Sequence, residues 1–71
     1  MNVKDNLRNN VKKYRLKLNL TQEELSELSG VAYKYIQKIE GQATPNVGIA
    51  LLEKIAKALK ITPSKLIDSN T

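Results

Sequence analysis

Tyr33, Lys34, Gln37 and Lys38 are the residues of this 71-residue chain whose types and spacing best suit chemistry. Separated by one, three and four positions, they share one side of a helix, where residues three and four apart are neighbours. A phenol, two ammonium groups and a carboxamide on one face are hydrogen-bond donors, and no activated nucleophile stands among them. The chain has neither His nor Cys, which removes the commonest general base, the commonest metal ligand and every thiolate site. The expected chemistry is therefore recognition. No catalytic residue, metal site, cofactor or small-molecule ligand is expected.

A helix that presents those four side chains must be held from behind, and Val31, Ile36 and Ile39 supply its inner face. It is predicted to start at Ala32 or Tyr33 and to stop at Glu40-Gly41. The preceding helix opens at Thr21, whose hydroxyl forms a capping box with Glu24 three residues later. Leu25 and Leu28 are its expected buried contacts, and Gly30 ends it as the one residue type that turns there without a Cβ penalty. Upstream, Val3, Leu7, Val11, Tyr14 and Leu18 recur every three or four residues and predict a first helix from about Lys4 to Leu18, with Asn19 in the left-handed C-terminal position. Downstream, Gln42 to Pro45 is a loop and Asn46 is the expected cap of a fourth helix, with Leu51, Leu52, Ile55, Ala56 and Leu59 turned inward. Thr62-Pro63 opens a short fifth helix, Pro63 to Ile67, and 68–71 is expected to fray. No strand pattern occurs. The chain reads as one all-α domain over 1–71 with its core at about 4–67.

Charge narrows the class of partner. The net charge is +5, and it is unevenly placed. Residues 1–20 carry Lys4, Arg8, Lys12, Lys13, Arg15 and Lys17 against Asp5, whereas 21–30 carry only Glu23, Glu24 and Glu27. A basic end attracts nucleic acid or anionic membrane, and it also suits a merely solvated helix face. No apolar run approaches spanning length and no signal-peptide core follows Met1, so the expected location is cytoplasmic and no membrane partner is expected.

The segments Leu20-Thr21-Gln22-Glu23-Glu24-Leu25, Ser29-Gly30-Val31, Tyr35-Ile36-Gln37-Lys38-Ile39-Glu40 and Leu52-Glu53-Lys54-Ile55-Ala56-Lys57-Ala58-Leu59 resemble the phage repressor and Cro-like helix-turn-helix family. The likeness covers roughly residues 5–67. It implies a compact five-helix, lambda-repressor-like domain with the helix-turn-helix at helices 2 and 3, binding operator DNA with the second helix of the motif in the major groove.

The resemblance gives Tyr33, Lys34 and Lys38 the usual base-reading positions, with Gln37 less regular. The residue chemistry agrees. Lysine donates to guanine O6 and N7, and glutamine pairs with adenine through both amide atoms. Phosphate contacts are expected from Gln22, in a first turn whose free amides favour an anion, and from Tyr35 and Thr44, with Gln42 and Asn46 as further neutral donors. The resemblance pairs Arg15 with Glu40, and Arg15 is expected to serve a phosphate from that pair. Three departures stand out: Ala32 has no capping oxygen, Ser29 replaces a small apolar residue, and 41–46 lacks basic side chains.

One such domain reads few base pairs, so a homodimer on a palindromic site is expected, with its interface near Ile49, Ile61, Leu66 and Ile67. The alternative is a protein-interaction module of the same fold, such as an antitoxin or anti-repressor. Such a module calls for apolar anchors on the exposed helix, where this sequence has Lys34, Gln37 and Lys38.

Overall fold

A computed structural model describes residues 2–69. Five α-helices follow in order: α1 (Val3–Lys17), α2 (Gln22–Ser29), α3 (Tyr33–Glu40), α4 (Ile49–Ala58) and α5 (Pro63–Ile67). No strand occurs among the described residues. The extents are 29 × 21 × 21 Å. Among the described residues no helix is long and apolar enough to cross a membrane, and no group of three His, Cys, Asp or Glu is placed to hold a metal ion.

The helix ends follow from local chemistry. Asn2 Oδ1 accepts the Asp5 amide at 2.8 Å and starts α1 one residue before the predicted position. Asn19 is left-handed at φ 57°, as its place after α1 predicts. Thr21 and Glu24 form both halves of the capping box, at 2.8 and 3.0 Å. Gly30 ends α2 at φ 75°, where any Cβ is strained. Lys60 occupies the same conformation after α4, at φ 61°.

Two predicted caps are not formed. Asn46 does not open α4, which begins three residues later with Gly48 as the N-cap. Glycine is a poor helix former, and the Asn46 carbonyl is drawn to the Tyr35 hydroxyl at 3.2 Å, which keeps 46–48 extended. The Thr62 hydroxyl caps no amide of α5 and pairs instead with the Ser64 hydroxyl at 3.1 Å. Pro63 alone, with its φ already set, marks the start of that helix.

The core is aliphatic, with Leu25, Ile36, Ile39, Ile55 and Leu66 completely enclosed. Leu7 and Val11 carry the centre of the α1 stripe, but its ends, Val3 and Leu18, lie exposed. Leu28, predicted to be buried, is 63% exposed: Leu25 already fills the space between α2 and the core. Leu66, expected in a dimer surface, closes the core instead. The α1–α5 seam is polar as well as apolar. Asn10 Nδ2 donates to the carbonyls of Leu66 and Asp68 at 2.9 and 2.8 Å, and Asn6 Nδ2 donates to that of Ile67 at 3.2 Å. A five-residue helix leaves its last carbonyls without partners, and α1 supplies them. Of the predicted frayed tail, Asp68 and Ser69 are exposed and non-helical, while residues 70 and 71 lie outside the described residues.

Candidate nucleic-acid interface

The α2–α3 turn fixes where α3 points. Below it, Val31 is buried, its amide donates to Ser29 Oγ at 3.2 Å, and its carbonyl accepts the Ser26 hydroxyl. The polar Ser29 is accommodated at this buried position because its hydroxyl satisfies a buried backbone group. From Val31 onward Ile36 and Ile39 anchor the inner face of α3. The opposite face carries Tyr33, Lys34, Gln37 and Lys38, all exposed. The structure brings these four together on one unobstructed surface. Ala32 offers no side-chain cap; its carbonyl accepts the Tyr35 amide at 2.9 Å, and the amides of Tyr33 and Lys34 have no side-chain acceptor.

The far end of α3 is clamped. Glu40 accepts Arg15 Nε on Oε2 and Arg15 Nη2 on Oε1, each at 2.8 Å. Arg15 Nη1 donates to the Leu20 carbonyl at 2.7 Å, and Gln22 Nε2 donates to Glu40 Oε1 at 3.2 Å. The end of α1, the start of α2 and the end of α3 are thereby joined through one carboxylate. Hydrogen bonding to Glu40 raises the Arg15 pKa above its ordinary value; burial opposes the shift and the Glu40 charge adds to it. The side chains of Arg15 and Glu40 are only 9% and 4% exposed. Such a pair holds together only because both members are hydrogen-bonded in good geometry.

Three Arg15 donors are committed to Glu40 and Leu20, so Arg15 is the group that positions Glu40 and, through it, Gln22. The expectation for Thr44 is corrected. Thr44 is buried, and its hydroxyl donates to the Ile39 carbonyl at 2.9 Å, with Gly41 O at 3.4 Å, so it closes the C-terminus of α3 rather than facing outward. Tyr35 is half-buried, and its hydroxyl is engaged by Asn46 O, which ties the loop after α3 to the helix. Gln22 is partly exposed in the first turn of α2, beside that helix's free amides. A feature the sequence reading missed is the start of α4: Gly48 brings no side-chain cap, so a second set of first-turn amides is open to an anion. The signal was Gly48 itself, a residue that marks a helix boundary better than it fits a first turn.

Residues 11–66 match the family Helix-turn-helix. Over 67 residues the chain is 40% identical to Control protein C.SmaI of Serratia marcescens, covering 94% of this chain and 79% of the relative. It is 34% identical over 58 residues to the HTH-type transcriptional regulator SinR of Bacillus subtilis, covering 82% of this chain and 52% of SinR. A crystal structure of SinR in complex with DNA shares the fold at a TM-score of 0.83 and 32% identity, covering 87% of this chain and 98% of the solved one. The restriction-modification controller protein C.AhdI from Aeromonas hydrophila has a TM-score of 0.75 at 34% identity, covering 90% of this chain and 92% of its own.

Proposed function

The chain belongs to the helix-turn-helix family, and on that footing we propose that it is a transcriptional regulator that binds double-stranded DNA sequence-specifically. The carrying observation is the exposed polar face of α3 on a helix that is buried on its other side and clamped at its end. The inserted helix is α3. Tyr33, Lys34, Gln37 and Lys38 read base edges in the major groove, and Gln22 with the first-turn amides of α2 holds a phosphate. Arg15 and Glu40 orient Gln22 and the end of α3 without touching DNA, and Tyr35 and Thr44 shape the loop behind it.

Such a protein works as a cytoplasmic, repressor-like homodimer on a palindromic operator, with half-sites about one helical turn, roughly 34–36 Å, apart. Ile49, 75% exposed, and Ile67, at the ends of α4 and α5, support that pairing as apolar side chains left outside the core. Selection from a random duplex pool tests the reading: a two-fold symmetric motif is the expected product, and a pool without enrichment at moderate salt refutes it.

A further inference from the structure

The C-terminal ends of α2 and α4 frame a second surface. Leu28, Ser29, Lys54, Lys57, Ala58 and Lys60 line an open groove there. Leu28 stands 63% exposed at its edge. The lining carries three ammonium groups and no carboxylate, and among the described residues none of the three lysines is in an ion pair. Lys60 reaches this rim from a left-handed backbone position where glycine or asparagine is the usual occupant. The groove shares no residue with the base-reading set and lies at the opposite end of α2 from Gln22.

We propose that this groove docks an acidic amphipathic helix of a partner protein, with one large apolar side chain seated against Leu28 and Ala58 and flanking carboxylates on Lys54, Lys57 and Lys60. An exposed apolar side chain flanked by charges of one sign suits a protein contact, since the apolar group supplies the anchor and the charges set the sign of the partner. A DNA backbone answers to the lysines but leaves Leu28 uncovered, so a protein partner accounts for both features.

The probe is a fluorescein-labelled synthetic helical peptide of about 14 residues, rich in Glu with a single Phe, titrated into the full chain by fluorescence polarisation. Saturable binding is expected, weakened about tenfold by Leu28→Ser or Lys57→Glu and about tenfold by replacing the peptide's Phe with Ala, the last effect vanishing in Leu28→Ser. Unchanged thermal melting shows that both variants remain folded, and an unchanged selection outcome in Leu28→Ser shows that the surface is separate from DNA reading. Absence of binding, equal binding by wild type and Leu28→Ser, or indifference to the peptide's Phe overturns the proposal. So does a loss of random-duplex or phosphatidylserine-vesicle binding in Leu28→Ser that matches the loss of peptide binding. Failure of the operator selection leaves this test unaffected, because its readout is the peptide.

Discussion

Replacing Glu40 by Gln tests the clamp that holds α3. The substitution keeps shape and one acceptor oxygen but removes the charge that Arg15 faces at 2.8 Å through both Nε and Nη2. Breaking a buried pair by removing one member costs about 3–5 kcal/mol, and the retained acceptor places Glu40→Gln near the lower end, at about 3 kcal/mol. A chain of this length has a total stability of roughly 4–11 kcal/mol, so the loss is a large share of it. At roughly 4–8 °C per kcal/mol, Tm falls by about 12–24 °C. The burden lies in the stranded guanidinium rather than in the lost contact. Arg15→Met with Glu40→Leu together should therefore cost far less than the sum of the two single changes. Urea unfolding followed by far-UV circular dichroism measures the four variants against the wild type. A loss under about 1 kcal/mol in Glu40→Gln, the value of an exposed pair, or additive single changes, refutes the reasoning. The sign with pH is fixed by the raised Arg15 pKa: its contribution is complete below the unfolded-state value and is lost only as pH rises through the higher folded-state value. Mild alkali should leave it intact.

Lys34→Ala should alter the preferred bases, costing about 1–3 kcal/mol at the cognate position, whereas Gln22→Ala should weaken all duplexes alike. Repeating the selection with each variant separates the two, and an unchanged motif in Lys34→Ala removes that residue from base reading. Ala32→Ser supplies the missing cap of α3 and should stabilise the chain by about 0.5–2 kcal/mol in urea unfolding; no gain means that the first turn is already satisfied. Asn10→Ala strips the Leu66 and Asp68 carbonyls of their donor and should destabilise by about 1–3 kcal/mol, read as faster hydrogen exchange in α5.

Helix identity was legible because it rests on local rules. Thr21 with Glu24, Gly30 and the Val31–Ile36–Ile39 spacing each act within one turn of chain. The outward set on α3 followed from that spacing alone. What escaped the sequence depends on distant partners. Leu25 and Leu28 are both leucines on neighbouring turns, and only the position of the core separates the enclosed one from the exposed one. Thr44 has the composition of a surface donor, yet the path of the loop turns its hydroxyl back onto Ile39. Asn6 and Asn10 stand four apart beside Leu7 and Val11, a pattern indistinguishable from a polar helix edge until α5 is seen to end against them.

The two ends of α3 are held very differently, with Glu40 and Ile39 fastened at one and an uncapped Ala32 at the other. Mechanically it is a beam on two mounts, the Glu40 clamp at one end and the buried Val31 turn at the other. Eight residues make a beam about 12 Å long, and a tilt of about 5° at one mount swings the other end by about 1 Å. That swing is enough to break a hydrogen bond to a base edge. On the proposed division of contacts, substitutions around Arg15, Gln22 and Thr44 would therefore act as pointing adjustments on Tyr33 and Lys34. Operator preference can drift in evolution through the mounting while the reading side chains stay the same.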